Sequence, residues 1–241
     1  MKSRRSIIVV EGFYRDAQAV RNYALRQPYY TPYQDPAVVE AGLEPAKWWA
    51  SWFRPFDECP FKSSKWIIDA LEQAVEETID MDHWRTSFPV DARSKPLPVA
   101  AGHKHGCLWN CCFHVKPDNG QQLGDGVHNH VTDGWNSVGP EGWAGLIYLA
   151  PKAPLDGGLH LWRNTEPLRN FDWMTPAENW ELIDSMGNLF NRLLLVRGDI
   201  PHSGAGGWGN SLAGGRMYQT FFFRTIPRKT LWPVSMAEIG G

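Results

Sequence analysis

The chain has 241 residues, a formal net charge of −2 and a sequence pI of about 6.4. The length suits one mainly β domain, and the near-neutral charge argues against binding to nucleic acid or to an anionic membrane surface. No apolar run approaches the ~18 residues of a membrane span, and no leader-type cleavage site follows the basic N-terminus. We therefore expect a soluble, cytoplasmic protein that contacts neither a membrane nor a nucleic acid.

The N-terminal part predicts a strand, a short helix and a long loop. Residues 6–10 contain the apolar, β-branched run at 7–10, which is typical of a strand. Asp16 is suited to cap a helix that ends near Arg26. Residues 28–62 are rich in Pro, Trp and Tyr and follow neither period, so we expect an ordered loop that packs its aromatic residues on a barrel or covers a pocket.

The strongest predicted helix begins at Ser63 or Ser64, either of which can cap it. Its apolar residues recur at helical spacing, namely Ile67, Ile68, Leu71, Val75 and Ile79. Such a helix packs its apolar stripe on the outside of a sheet. Because strand patterns take over from about residue 96, we expect one domain over residues 1–241, with a helical and loop front at 1–95 and a jelly-roll body at 96–241.

The body is predicted to consist mostly of strands. Strand patterns occupy residues 107–115, 127–131, 143–149, 159–162, 193–196 and 217–224. Residues 175–190 carry a weaker helical pattern. These spacings predict a mainly β chain with flanking helices, in the α+β class, whose body is a distorted double-stranded β-helix of the jelly-roll or cupin-like type.

Three histidines predict a metal site. His128 and His130 stand two residues apart in an extended-looking segment, and alternate residues of a strand face the same side. His202 follows an apolar strand pattern and the turn-like sequence at 198–201, which would deliver its ring into a cavity. Neutral imidazoles that converge from two strands commonly hold a first-row transition metal. We therefore predict that His128, His130 and His202 bind one metal ion.

Arg216 is the second candidate site residue. It opens a strand pattern in which Tyr218, Thr220 and Phe222 occupy alternate positions. An arginine that points inward from a strand must find an anion. That anion would be the distal carboxylate of a dicarboxylic cosubstrate beside the metal. The alternative is a rim arginine in a surface salt bridge.

These patterns resemble the iron(II)- and 2-oxoglutarate-dependent oxygenases of the jelly-roll type. That family combines a His-x-Asp/Glu pair, a distant His, and an Arg or Lys a short distance further on. More narrowly, the chain is similar to a group of bacterial and phage oxygenase-like proteins at Ile7–Arg15, His128, Trp143–Leu149, Pro154–Gly158 and Arg197–His202. The resemblance implies a jelly-roll fold, an Fe(II) centre, 2-oxoglutarate and O₂ as cosubstrates, and a small-molecule substrate.

The resemblance also implies roles for individual residues. The proximal metal ligand, the distal ligand and the anchor of 2-oxoglutarate would be His128, His202 and Arg216. Tyr148 would donate to the same carboxylate as the anchor. The family's carboxylate two positions after the first histidine is replaced here by His130. Either His130 binds the metal itself, or a bulge brings in Asp133 as an oxygen ligand, or the position stays open.

Three functions are compatible with these residues. The first is an Fe(II)- and 2-oxoglutarate-dependent oxygenase that oxidises a C–H bond of a small molecule. The second is a cupin-like dioxygenase with three histidines that needs no 2-oxoglutarate. The third is a jelly-roll binding module whose tryptophans, thirteen in the chain, hold a sugar or an aromatic ligand. Nothing in the sequence predicts an oligomeric state.

Several other residues carry weaker expectations. The four cysteines lack zinc or redox spacing, so we expect reduced and mostly buried thiols. Asn110 is interpreted as a cavity-facing contact for substrate, and His160 as a hydrogen-bonded core or surface histidine. The glycine-rich run Gly204–Gly215 has no following helix and is interpreted as a mobile flap rather than a phosphate loop.

Overall fold

The computed structural model of the chain describes residues 5–30, 48–51, 54–85, 109–131, 137–165 and 177–226. The strands are β1 (Ile7–Val10), β2 (Tyr29–Tyr30), β3 (Trp49–Ser51), β4 (Thr78–Ile79), β5 (Phe113–Lys116), β6 (Trp143–Tyr148), β7 (Leu159–Asn164), β8 (Trp180–Met186), β9 (Leu193–Arg197), β10 (His202–Gly204), β11 (Arg216–Phe223) and β12 (Thr225–Ile226). The helices are α1 (Ala17–Leu25), α2 (Lys65–Val75) and α3 (Met81–Arg85), with 3-10 turns at Phe56–Glu58 and Ala177–Asn179.

The strands form two larger sheets with a common core. Seven strands pair in the order β1-β9-β6-β11-β5-β3-β2, three in the order β10-β7-β8, and β12 pairs with β4. Every pairing is antiparallel. The core between the sheets includes Leu146, Tyr148, Leu194, Tyr218 and Phe222 of the larger sheet and Leu159 and Leu161 of the smaller one. The predicted mainly β, double-sheet architecture is confirmed.

Alternation along the central strand β11 separates the two faces of the large sheet. Met217 and Phe221 pack in the core cluster that also contains the buried faces of α1 and α2. Tyr218 and Phe222 belong instead to the core between the two sheets. Because successive side chains of a strand point to opposite faces, Arg216 shares the face of Tyr218 and Phe222. The interior of the double sheet therefore contains a buried cation.

The two longer helices begin at the predicted caps. Asp16 caps α1 through its side-chain oxygen, and Ser64 caps α2 in the same way. The apolar stripe of α2 is buried at Ile67, Leu71 and Val75. The helix ends before the last predicted residue because Glu76 adopts a left-handed conformation with φ 59°. Ile79 consequently lies in β4 rather than in the helix.

Two regions differ from the predictions. Residues 175–190 were expected to be helical, but their described part forms a 3-10 turn and the strand β8. β8 is an edge strand with an exposed middle, so the spacing of its apolar residues does not mark a buried helical stripe. Pairing with β7 overrides that weak local pattern. The predicted loop at 28–62 contains β2 and β3, which extend the large sheet beyond β5.

The segments predicted as a front also build the sheet, since β1, β2 and β3 all belong to it. A single domain over residues 1–241 stays a prediction. Within the described ranges, no helix has the length and apolar character needed to cross a bilayer. The cytoplasmic location stays a prediction as well.

Candidate active site

Three imidazole rings converge where β10 meets the segment that precedes β6. The centroid of the His128 ring lies 5.0 Å from that of His130 and 4.7 Å from that of His202, and the last two are 5.1 Å apart. Each ring offers one nitrogen that lies within 4.8 Å of the others. His130 and His202 are buried, whereas His128 keeps some exposed surface. Three nitrogens at this spacing can enter the coordination shell of one first-row metal ion.

A backbone bridge holds the first and the last of these histidines opposite each other. His128 N donates to His202 O at 3.0 Å, and His202 N donates to His128 O at 2.8 Å. The ladder stops there because Pro201 has no N–H and Ile200 N bonds within its own turn. The strand predicted at 127–131 is therefore reduced to a single bridge, which joins two of the three clustered histidines.

Backbone carbonyls orient two of the rings. Nδ1 of His128 lies 2.8 Å from Gly126 O, and Nδ1 of His202 lies 2.8 Å from Ile200 O. A carbonyl oxygen only accepts, so Nδ1 carries the proton in both rings. The lone pair of the neutral ring is then on Nε2. Metal-binding histidines in proteins are usually oriented by an outer partner of this kind.

Burial keeps both oriented rings neutral. It lowers the pKa of His128 to about 3, with smaller contributions from the charges of His202 and Lys116 and an opposing one from the hydrogen bond to Gly126. It also lowers the pKa of His202, against the hydrogen bond to Ile200 O. Protons compete with metal ions for imidazole nitrogen. Rings that stay neutral at pH 7 are therefore available as ligands.

Arg216 is 1% exposed at the start of β11. Its Nε donates to Gly157 O and its Nη2 to Gly158 O, both at 2.9 Å. Nη1 and Nη2 lie 3.3 Å from the position that a Cβ would take on Gly204. Gly204 ends the strand that begins at His202, so the guanidinium lies against the strand that carries this histidine. The alternative of a rim arginine in a surface salt bridge is wrong.

Tyr148 lies in β6 directly opposite Tyr218 of β11. Its hydroxyl is buried and has no hydrogen-bond partner among the described residues. Burial raises the pKa of Tyr148 to about 12, against the charge of Arg216, so the hydroxyl keeps its proton at neutral pH. Arg216 Cζ lies 5.8 Å from the Tyr148 ring centroid and 4.7 Å from that of Tyr218. A buried donor without a partner is costly, and a ligand oxygen would satisfy it.

Two residues of β5 line the same interior face, and the sequence reasoning missed both as site residues. His114 and Lys116 alternate with two residues of the helix-side core. The His114 ring is stacked between Trp48 and Tyr218, with centroid distances of 5.2 Å on both sides. The spacing of His114 and Lys116 could have indicated one shared face. The sequence does not show, however, that β5 pairs with β11.

The remaining predicted residues divide into three groups. Asp133 lies outside the described residues, so the choice between it and His130 stays a prediction. Asn110 Oδ1 accepts a backbone N–H of β11 at 3.0 Å, and its role as a cavity-facing contact for substrate stays a prediction. His160 is buried with Nδ1 at 2.9 Å from Ser185 Oγ, in line with its interpretation as a hydrogen-bonded histidine.

The described cysteines are buried, and the glycine-rich run is hydrogen-bonded to another segment of the chain. Cys59, Cys111 and Cys112 are free and buried, as predicted, and Cys107 lies outside the described residues. The run Gly204–Gly215, interpreted as a mobile flap, is hydrogen-bonded to the turn after β5. Gly209 O accepts from the backbone N–H of residue 118 at 2.8 Å, and Gly207 N donates to the side chain of residue 119 at 3.3 Å.

Neither family models nor curated protein sequences match this chain. Similar solved structures include a prolyl hydroxylase from Trichoplax adhaerens in complex with a hypoxia inducible factor peptide fragment, at a TM-score of 0.44 and 14% identity, covering 90% of this chain and 83% of that one. HygX from Streptomyces hygroscopicus with nickel and 2-oxoglutarate bound has a TM-score of 0.45 and 10% identity, covering 99% and 91%. The Fe(II)/(alpha)ketoglutarate-dependent dioxygenase TqaL has a TM-score of 0.39 and 14% identity, covering 93% and 84%.

Proposed function

We propose that the chain is a non-haem, Fe(II)- and 2-oxoglutarate-dependent oxygenase that uses O₂ to oxidise a small molecule. The main support is the position of Arg216, whose buried guanidinium contacts Gly204, two residues from His202. The cluster of three imidazoles therefore lies at the start of β10, and a buried cation lies beside its end. This arrangement suits an anion that binds a metal ion at one end and an arginine at the other.

The histidines would hold the iron. His128 and His202 would bind through Nε2, since their Nδ1 protons are engaged by backbone carbonyls. His130 would be the third ligand. Three neutral imidazoles leave the positive charge of the metal uncompensated, which favours the binding of an anionic 2-oxoacid. Iron(II) with a bound 2-oxoacid supplies the capacity to activate O₂ for oxidation of a C–H bond.

Arg216 and Tyr148 would hold the distal carboxylate of 2-oxoglutarate. The guanidinium has N–H donors beyond the two that bond Gly157 O and Gly158 O. The Tyr148 hydroxyl keeps its proton and has no acceptor among the described residues, so it can donate to a ligand oxygen. Charge-assisted bonds from such donors orient the ligand. The apolar core around them limits the access of water and so strengthens these bonds.

One observation favours a second candidate. The third histidine in the cluster gives a neutral ligand set, as expected for a cupin-like dioxygenase that binds an anionic substrate directly on the metal. Such an enzyme would consume O₂ without forming succinate. A binding module without catalysis would need neither the metal nor 2-oxoglutarate.

Protein purified without a His tag and loaded anaerobically with Fe(II) tests the proposal. We expect bound iron, saturable binding of 2-oxoglutarate by calorimetry, and succinate by mass spectrometry once O₂ is admitted. Arg216→Leu should keep its iron but bind 2-oxoglutarate about 2–5 kcal/mol more weakly, since a buried charge-assisted pair is lost. Arg163→Leu is the matched control, because it removes an arginine from an exposed ion pair with Glu181.

Each alternative has its own outcome. Iron binding with O₂ consumption but without succinate would favour the cupin-like dioxygenase. Protein without bound iron would favour the binding module. Unchanged 2-oxoglutarate affinity in Arg216→Leu would assign the anchor to another residue.

A further inference from the structure

Lys116 and Arg216 are cross-strand partners. The register of β5 and β11 places their Cα atoms directly opposite each other. Directly opposed residues of antiparallel strands project from the same face, with Cβ atoms about 4.5–5.5 Å apart. Like charges at that spacing destabilise a sheet. The pair therefore raises the free energy of the sheet unless an anion binds beside it.

Gln121 connects Lys116 to the strand that carries the distal histidine. Lys116 Nζ donates to Gln121 Oε1 at 2.8 Å, and Gln121 Nε2 donates to Gly204 O at 2.9 Å. The guanidinium of Arg216 lies against the Cα of the same glycine, 3.3 Å from the position of its missing Cβ. Both cations thus reach Gly204, one through an amide and the other directly.

Within the described ranges, no carboxylate pairs with either cation. The hydrogen-bond partners are an amide oxygen for Lys116 and the carbonyls of Gly157 and Gly158 for Arg216. These oxygens solvate a cation but do not cancel its charge. Lys116 keeps some exposed surface, yet burial and, to a smaller extent, the charge of Arg216 together lower its pKa to about 7.

The positive potential extends along β5 to His114, two residues before Lys116. After burial, the charge of Lys116 contributes to the lowered pKa of His114. An anion that spans the distance from the histidines to the two cations would be attracted at both ends.

We propose that Lys116 is a second cosubstrate-binding residue, which forms with Arg216 a two-cation site for the distal carboxylate of 2-oxoglutarate. This inference rests on the function proposed above. A carboxylate held by an ammonium and a guanidinium accepts charge-assisted hydrogen bonds from both and cancels their mutual repulsion. The site therefore selects a 2-oxoacid with a second carboxylate over one without it.

Calorimetry on the Ni(II)-loaded full chain tests this selection with two probes. 2-Oxoglutarate carries the distal carboxylate, and 2-oxobutyrate has the same chelating end without it. We expect Lys116→Met to weaken 2-oxoglutarate binding roughly 10- to 100-fold, as for loss of a hydrogen bond to a charged group. The affinity for 2-oxobutyrate should stay within about threefold of the wild type, because the chelating end is untouched.

Two further variants separate local from general effects. Lys116→Arg keeps a cation on β5 and should retain most of the affinity for 2-oxoglutarate. Lys65→Met removes the same charge from an exposed helical ion pair with Asp69 and should behave as the wild type. Wild-type affinity for 2-oxoglutarate in Lys116→Met would overturn the two-cation site while leaving the proposed function intact. Equal losses for both 2-oxoacids would also overturn it, since the effect would then lie at the metal.

Failure of the proposed function has a different signature. In that case the Ni(II)-loaded wild type binds neither 2-oxoacid, and the metal-free protein is tested for thermal stabilisation by succinate. Stabilisation in the wild type and in Lys65→Met, but not in Lys116→Met, would support a two-cation carboxylate site with another occupant. No stabilisation of the wild type would overturn the site altogether.

Discussion

His130 is the residue at which the site departs from the His-x-Asp/Glu pattern. Its side chain is 8% exposed, and its ring lies 5.0 Å from that of His128 and 5.1 Å from that of His202. Its backbone N–H donates to Gly198 O at 2.7 Å, which holds the residue beside the turn before β10. These contacts place His130 within the cluster, and its assignment as the third ligand stays a prediction.

Alanine variants distinguish the two candidates. We expect His130→Ala to weaken Fe(II) or Ni(II) binding by ~100-fold or more, because loss of an outer partner alone already costs roughly 10- to 100-fold. Asp133→Ala should stay at or below that outer-partner range, and His202→Ala gives the reference for loss of a ligand. Anaerobic calorimetry on untagged protein measures all three. Affinity lost in Asp133→Ala and kept in His130→Ala would restore a site of two histidines and one carboxylate.

At the scale of elements, the turn before β7 holds the proposed anchor. Gly158 O accepts from Arg216 Nη2, and Leu159, the first residue of β7, is paired with Met186 of β8. A Cβ on Gly158 would lie only 1.7 Å from Met186 O. The backbone of the turn therefore lies against β8 at a distance that only glycine permits. That contact sets where the carbonyl meets the guanidinium.

Gly158→Ala should therefore disturb both stability and cosubstrate binding. We expect a loss of roughly 1–3 kcal/mol in the free energy of unfolding, as for overpacking, and weaker binding of 2-oxoglutarate because the turn must shift. Gly187→Ala is the control, since the nearest atom to its Cβ is Leu155 O at 3.3 Å, and it should cost less. Urea denaturation and calorimetry provide the measurements. Equal stability and affinity in the two variants would contradict a close contact at Gly158.

At the scale of the whole molecule, His114 couples folding to pH. It is 1% exposed, with Nε2 at 3.0 Å from Thr220 Oγ1 and no partner for Nδ1 among the described residues. Burial and, to a smaller extent, the charges of Lys116 and Arg216 together lower its pKa to about 3. The folded state therefore binds no proton at His114 between pH 6.5 and about 3, whereas the unfolded chain does. Stability is lost as the pH falls through this window.

The metal-free wild type should lose about 2 kcal/mol of unfolding free energy between pH 7 and pH 5 through His114 alone. His114→Phe keeps a ring between Trp48 and Tyr218 but cannot bind a proton. Its free energy of unfolding should therefore fall by about 2 kcal/mol less than that of the wild type over the same pH range. Urea titrations at a series of pH values in the presence of a chelator measure both slopes. Parallel pH dependence in the two proteins would show that His114 does not contribute.

Local patterns in the sequence were sufficient for much of the fold and part of the site. The alternating and helical periods predicted β1, β6, β9, β11, α1 and the start of α2, because periodicity records which side chains are buried. Asp16 and Ser64 were identifiable as caps because a helix start needs a side-chain acceptor within a few residues. The spacing and turn chemistry of His128, His130 and His202 likewise predicted the cluster.

Long-range pairing decided the rest. β8 is a strand because β7 offers it hydrogen bonds, although its own residues carry a weak helical pattern. Lys116 faces Arg216 only through the register of β5 and β11, two segments far apart in the chain. The lowered pKa of His114 likewise depends first on burial. Register and burial are properties of the packed chain, so no local pattern could show two cations facing each other or a histidine kept neutral.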